Sequence, residues 1–457
     1  MTAKITSLTY LEFYSGIGGW GYALEHACRS INNNKNKNDD GNILLQPQLL
    51  AAYDHSDLCN SVLIHNHKSS NMSSSSIPEN TNNEKRKKQS LASQTPIEKL
   101  SLETLSSFNA NIWCMSPPCQ PHTRQHTNQI NEMNDSRSKS FIHLCDMISE
   151  MDEGNLPQII MLENVVGFEM SWEHHGSFQT FRQVLSNRNY QVIHIHLDPT
   201  HVGIPNNRPR HYTVAILQRR RGGEKGRSGR YDHLFCKEIL NQAPIIHGES
   251  SLFVKTSTFT KLSSFLDKDI PPNHTSPSSC KESQQKCQSL QIPTKVQTSS
   301  SAWCFDIATT NDNDDCITSC FTHSYGKFIR GTGSILYTGP TSSSSKGDED
   351  GGDITVQFKL LSPEERTYDE SWSKGINWDY MRYFSGTEVA RLMGFPVDEE
   401  SADDMKKMKC QTEKEGYRKF SFPAEVTMKQ QWKLLGNSLN VRVAAAIAEM
   451  GIDSVYS

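Results

Sequence analysis

Leu8-Thr9-Tyr10-Leu11-Glu12-Phe13-Tyr14-Ser15-Gly16-Ile17-Gly18-Gly19-Trp20-Gly21 passes from an apolar, β-prone stretch straight into a glycine-rich turn. Residues 8–14 read as a first strand, and the chain beyond the turn reads as a helix to about Cys28. Glycines at such a turn let backbone N–H groups approach a ligand closely at the helix N-terminus. Many glycine-rich turns bind nothing, so the meaning of this one depends on the strands further along the chain. Leu49–Tyr53 is a second apolar strand that ends in Asp54. Open α/β sheets place an acid there to grip ribose hydroxyls. An N-cap for the next helix is an equal reading of Asp54.

The next strand, Ile112–Met115, stops at Ser116-Pro117-Pro118, because proline cannot donate to a sheet ladder and its ring stiffens the turn. Cys119 is thereby placed on a rigid loop at a strand's carboxyl end, followed by Gln120, His122, Thr123 and Arg124. A thiol in polar, cationic company suits an activated nucleophile. For an arbitrary cysteine, a buried structural role would be preferred. Pro157 introduces a further strand, Ile159–Leu162, that runs into Glu163-Asn164-Val165. A carboxylate at the end of a buried strand is costly unless it is paired or used. Two more strands, Tyr190–Leu197 and His211–Leu217, flank Ile204-Pro205-Asn206-Asn207-Arg208-Pro209-Arg210. Arg208 and Arg210 on a stiff loop present two forks for a base edge or phosphate, or else form surface ion pairs.

Composition narrows the class. A chain of 457 residues buries a large core and is expected to hold two domains. An apolar content of 35% and a mean hydropathy of −0.60 indicate polar insertions diluting that core. The net charge of −4 excludes a globally basic nucleic-acid binder, so any nucleic-acid contact must come from local basic clusters. No apolar run approaches the roughly 18 residues of a membrane span, and no signal peptide is evident. The twelve cysteines contain no Cys-x-x-Cys pair, and they read as reduced thiols of cytoplasm or nucleus.

Texture divides the chain. Residues 1–217 form an α/β domain interrupted by a serine- and asparagine-rich insertion at about 68–94, which includes the basic knot Lys85–Lys88. Residues 218–383 read as a smaller, loop-rich, β-containing domain with disordered insertions at about 263–301 and 340–353. Residues 384–457, with helices predicted at Gly386–Met393, Val426–Leu435 and Val443–Met450, return to the first domain.

Together Phe13–Gly19, Pro117-Pro118-Cys119-Gln120, Glu163-Asn164-Val165, Arg208-x-Arg210 and Gly436-Asn437-Ser438 resemble the cytosine-C5 methyltransferases. Five motifs in the right order make that a specific signal. Cys320-Phe321-Thr322 with Tyr325-Gly326 resembles the eukaryotic branch that methylates cytosine 38 of tRNA-aspartate, historically also classed with DNA methyltransferases. The resemblance implies a Rossmann-like, S-adenosylmethionine-dependent methyltransferase sheet with helices on both faces, plus an inserted target-recognition domain. It implies that the Cys119 thiolate attacks cytosine C6, that Glu163 acts at N3 and the exocyclic amine, and that Arg208 and Arg210 hold the base carbonyl and developing charge. The donor, released as S-adenosylhomocysteine, would be met by Phe13, Ile17, Gly18, Gly19, Asp54, Ile97, Glu98, Ser116, Asn437 and Ser438. Gln120, Cys320, Phe321 and Thr322 would face the substrate. The chemistry asks for no metal. Asn111 stands where relatives often carry aspartate and His122 where they carry phenylalanine, which bears on pocket polarity and stacking rather than on the reaction.

Taking a base out of a duplex costs a few kcal/mol and costs less when the base is already unpaired. That favours an anticodon-loop cytosine, and the chain has no module for reading a DNA groove. The expectation is a monomeric tRNA cytosine-C5 methyltransferase with no membrane partner. A DNA cytosine-5 methyltransferase and a catalytically idle nucleic-acid-binding relative are the alternatives.

Overall fold

The computed structural model describes residues 4–35, 43–71, 91–118, 136–169, 176–218, 245–247, 260–270, 281–299, 304–310, 316–339, 378–397 and 418–456. Eight strands form the main sheet: β1 (Lys4–Phe13), β2 (Ile43–Tyr53), β3 (Ala92–Ser93), β4 (Ile112–Met115), β5 (Ile159–Val165), β6 (Tyr190–Leu197), β7 (Arg210–Leu217) and β8 (Ile245–His247). Their order is β3-β2-β1-β4-β5-β7-β6-β8, parallel except for β7, which runs antiparallel to both neighbours. The expected Rossmann-like sheet is therefore present. Among the described residues no helix is long and apolar enough to cross a membrane.

Alternation along the strands builds two cores, since successive side chains point to opposite faces. Tyr10, Ile112, Cys114, Ile159, Met161 and Val214 face one core. Helices α1 (Gly19–Lys35) and Val441–Tyr456 pack on that side, and a Cβ on Gly451 would meet Val214 and Ile159 at 3.1 and 3.3 Å. Leu11, Phe13, Trp113, Met115, Ile160 and Leu162 face the other core, against α4 (Ser136–Glu150) and α5 (Ser177–Asn187). Between β3 and β4, a single helix over Ile97–Phe108 is not formed. A 3-10 turn at Ile97–Lys99 ends at extended Leu100, and Ser101 Oγ, accepting from Thr104 N–H at 3.1 Å, starts a separate helix at Leu102–Phe108.

The insertion boundaries differ from expectation. The helix after β2, α2 (Asp57–Asn71), extends past residue 68, and Ala92–Ser93 pairs with β2 as an edge strand, so only 72–90 lies outside the described residues. The segment read as disordered over 263–301 holds a 3-10 turn, Leu262–Phe265, and helices Lys281–Leu290 and Thr294–Gln297. Its few apolar residues, Ile270, Cys287, Leu290 and Ile292, are buried, and a polar hub holds it to the helix Gly386–Leu392. Asp267 accepts from Arg391 Nη1 at 2.7 Å and Ser385 Oγ at 2.5 Å, and pairs with Lys286 Nζ at 3.0 Å. Its backbone N–H donates to Glu388, which pairs with Arg382 at 2.7 Å. Overall polarity hid this order, because the stabilising groups are charged. The 340–353 insertion lies outside the described residues. The smaller domain supplies a three-stranded sheet, β9 (Asp306–Thr309), β10 (Ser334–Tyr337) and β11 (Met381–Arg382).

Burial alone would raise the Asp267 carboxyl, but Ser385, Lys286 and Arg391 outweigh it and hold it at about 2, below its usual 3.8. A depressed carboxyl stabilises the fold above its unfolded value and loses that contribution as pH falls toward its folded one. Asp267→Ala is expected to cost roughly 3–5 kcal/mol in urea unfolding at neutral pH, because it strands buried cations. The difference from wild type should shrink as the pH is lowered from about 4 to about 2.

Candidate active site

The functional side chains gather at the carboxyl ends of β1, β4 and β5 and the start of β7. The glycine turn after β1 needs left-handed backbone at Gly16 (φ +50°) and Gly18 (φ +83°). A Cβ on Gly16 would meet nothing within 4 Å, so the turn opens onto space. Asp54 Oδ2 accepts from Gly16 N–H at 2.9 Å, and its Oδ1 accepts from Ser56 N–H at 2.9 Å. The following helix is capped instead by Ser56, whose Oγ accepts from Cys59 N–H at 3.3 Å. Asp54 therefore braces the turn at the site where a ribose acid was expected. Gly19 lies against the C-terminal motif, where an added Cβ would stand 3.0 Å from Leu439 and 3.3 Å from Ser438 Oγ.

From this turn a continuous polar chain crosses the strand ends. Trp20 Nε1 donates to Ser116 Oγ at 3.1 Å, and the Ser116 hydroxyl also bonds the Glu163 carboxyl. Glu163 Oε1 lies 3.3 Å from Arg210 Nε. Burial pushes the Glu163 carboxyl up, and Arg210, Arg208 and Ser116 pull it back without cancelling that effect. Asn164, on the opposite face, donates from Nδ2 to Pro117 O at 3.2 Å and so fixes the loop that leads to Cys119. Cys119 and Gln120 themselves lie outside the described residues, as does His122.

The two arginines, expected to act as a pair, are divided by the structure. Arg210 faces Glu163. Arg208, 3% exposed, donates from Nη1 to Phe321 O at 2.7 Å and from Nη2 to Gly436 O at 3.0 Å and Ser438 O at 2.6 Å. Its backbone N–H donates to Asp198 Oδ2 at 2.6 Å. With that many protein carbonyls on its fork, Arg208 positions the site rather than offering a free fork to a base. Cys320 Sγ lies 3.3 Å from Arg208 Nη1 and 4.0 Å from Arg210 Nη2. Burial would raise this thiol, but the two guanidiniums outweigh burial and lower it.

Other expected contact residues sit elsewhere. Phe321 is 1% exposed within an aromatic cluster, 5.0 Å from the Tyr325 ring and 5.3 Å from Phe384, so its ring belongs to the core and cannot stack on a substrate. Phe13 is fully buried, stacked 5.6 Å from Tyr53, and the Ile17 and Ile97 side chains are also core. Any ligand contact from Phe13 or Ile17 would come from backbone. Glu98 and Asn437 are exposed, and Thr322 and Ser438 are half-buried. Asn111 is at the far end of β4, its Oδ1 accepting from Thr9 N–H at 2.9 Å, so it has no part in pocket polarity.

Sequence reading missed two residues. Glu12, 1% exposed on β1, accepts from Trp20 N–H at 3.2 Å beneath the helix start, and burial pushes it up to about 8. Its placement as a charged residue inside an apolar strand was the available signal. Asn206 ties the arginine loop to the smaller domain, donating to Thr318 Oγ1 at 3.0 Å and Ser319 O at 3.1 Å.

Comparison with known proteins places the chain in a family. The family model described as C-5 cytosine-specific DNA methylase matches residues 80–452. A human tRNA (cytosine(38)-C(5))-methyltransferase is 26% identical over 97% of this chain and 98% of its own. A Dictyostelium discoideum DNA (cytosine-5)-methyltransferase is 27% identical over 97% of this chain and 94% of its own. In fold, the chain is similar to the crystal structure of S. pombe Dnmt2 methyltransferase, with a TM-score of 0.61, 24% identity and coverage of 98% of this chain and 100% of the other.

The join between domains is tight at one point. A Cβ on Gly436 would stand 2.1 Å from the Thr322 carbonyl carbon and 2.2 Å from His323 N, both backbone atoms that cannot swing aside. Gly436→Ala is expected to lower stability in urea unfolding by about 1–3 kcal/mol through overpacking. Gly154→Ala, whose Cβ meets nothing within 4 Å, should stay within about 0.5 kcal/mol of wild type.

Proposed function

Since the chain belongs to the C-5 cytosine-specific DNA methylase family and is a cytosine-C5 methyltransferase, we propose that it methylates tRNA, at cytosine 38 of the tRNA-Asp anticodon loop, with S-adenosylmethionine as donor. The observation that carries the reading is the Glu163 carboxyl, buried, raised by that burial, and held between Arg210 and Ser116 on the loop that leads to Cys119.

Cytosine C5 is too poor a nucleophile to take a methyl group directly. Addition of the Cys119 thiolate to C6 makes the ring an enamine, nucleophilic at C5, and a general acid at N3 makes C6 electrophilic. A carboxyl whose proton affinity is raised by burial, with Arg210 beside it, suits Glu163 to that role. Arg210, next to it, is placed to hold charge that develops on the adduct. Arg208 is assigned a positioning role, and Cys320 lines the same site. Once the methyl group is on C5, loss of the C5 proton and expulsion of Cys119 restore the ring. Bound donor supplies an electrophilic methyl group. The turn at Gly16, with open space beside it, the Asp54 carboxylate that accepts from its N–H, and Ser438 next to Gly19 would hold the donor.

Substrate choice rests on the relatives. The human relative is named for tRNA cytosine 38, whereas the Dictyostelium relative is named a DNA methyltransferase, which keeps DNA as the second reading. Labelled donor offered with tRNA and with duplex DNA side by side should mark tRNA at cytosine 38. Label confined to DNA would overturn the tRNA assignment. Cys119→Ala should abolish transfer while keeping donor binding, and Glu163→Gln should lower kcat by about 10²–10⁴-fold.

A further inference from the structure

The reverse face of the active-site strands carries a cluster that the methyl-transfer chemistry does not use. Glu169 follows β5 on a turn that passes through Gly167 (φ +105°). His196 closes β6, and His211 lies opposite it in register on β7. His196 Nε2 is 3.0 Å from Glu169 Oε1, and His211 Nδ1 is 3.4 Å from Glu169 Oε2. One ligand atom from each of the three falls within 4.8 Å of the others.

The geometry points to a divalent transition-metal site at Glu169, His196 and His211, with a ligand set that favours Zn²⁺. Two imidazoles and one carboxylate, with a fourth position left to water, form a known zinc-binding set. Ligand atoms about 2.0–2.2 Å from a tetrahedral ion stand about 3.3–3.5 Å apart, and the two imidazole nitrogens already approach the two oxygens of the one carboxylate at 3.0 and 3.4 Å, within reach of a shared ion. The ligands also have the outer hydrogen bonds that such sites use to fix ring and carboxylate orientation. Gly167 N–H donates to Glu169 Oε2 at 3.0 Å, and His211 Nε2 is 3.2 Å from Thr213 Oγ1.

A hydrogen-bond account of the cluster is incomplete. Thr213 Oγ1 also lies 2.9 Å from His194 Nδ1, and one hydroxyl proton cannot be donated to both rings. If His211 donates from Nε2 to Thr213, its Nδ1 lone pair faces the carboxylate, an unfavourable contact that a proton or a metal ion between them relieves. If Nδ1 carries the proton instead, it is a buried donor with no aligned hydrogen bond. A metal ion resolves the first arrangement. The His196 side chain, 14% exposed, gives an entry route, while the Phe168 and Phe178 rings close the inner side. Such an ion would tie the turn after β5 to β6 and β7, directly behind Glu163 and Arg210, bracing those strand ends.

Cobalt reports the ligand set through its visible d–d bands. Co²⁺ titrated into the tag-free, chelator-treated full-length chain should give one equivalent of such bands, without a thiolate charge-transfer band, and Zn²⁺ should displace it. His196→Leu and Glu169→Gln, checked for native circular dichroism, should lose the bands, and Thr213→Val should weaken binding by about 10–100-fold. His196 is the most exposed ligand, which makes its variant the least disruptive of the fold. Absence of the bands, their persistence in both ligand variants, or a thiolate charge-transfer band would overturn the assignment.

Discussion

The Arg208 guanidinium is the contact on which the assembly turns. Its fork accepts no substitute of a different shape, because two of its nitrogens serve carbonyls from two distant segments, Phe321 in the smaller domain and Gly436 and Ser438 near the C-terminus. Removing a guanidinium from water is costly unless its donors find acceptors, and here the acceptors are backbone oxygens at the ends of other elements. One buried cation thereby fixes where the smaller domain and the last helices stand relative to β7. Gly436 completes the join, since only the absence of a Cβ lets its backbone meet that of Thr322 and His323.

Around this clamp the sheet divides its labour by parity. Glu163 and Arg210 share the face covered by α1 and Val441–Tyr456, where the glycine turn and Ser438 also lie. Asn164 and His211, one residue along on each strand, point to the opposite face. Asn164 uses that side to hold Pro117, so a single strand end supplies both the Glu163 carboxyl of the candidate site and the anchor for the loop that leads to Cys119. Strand alternation gives Glu163 and Arg210 support from the opposite face of the same strands.

Most of the sheet was legible because buried parallel strands are written as apolar runs, and Ile112–Met115 and Ile159–Leu162 follow that rule closely. Motif order located Glu163, Arg210 and Ser116 together. What could not be read was the division of labour between Arg208 and Arg210, since sequence gives the spacing of two forks but not the carbonyls that long-range folding brings to one of them. The burial of the Phe321 ring was hidden for the same reason: an aromatic in a functional motif is indistinguishable from a core aromatic until Tyr325 and Phe384 are seen to enclose it. The order in 260–270 and 281–299 was hidden because its stability comes from the paired charges of Asp267, Lys286 and Arg391 rather than from an apolar pattern.

The proposed chemistry depends on a transient bond between a cysteine sulfur and a cytosine ring in a site organised by Glu163 and the arginine loop. Fluorine at C5 blocks the proton loss that releases the enzyme. Incubation of the full-length chain with donor and a 5-fluorocytosine-substituted tRNA should therefore give a denaturation-resistant protein–RNA adduct, mapped by mass spectrometry to Cys119. Methylation of ordinary tRNA without any such adduct, or an adduct on a different residue, would contradict that chemistry.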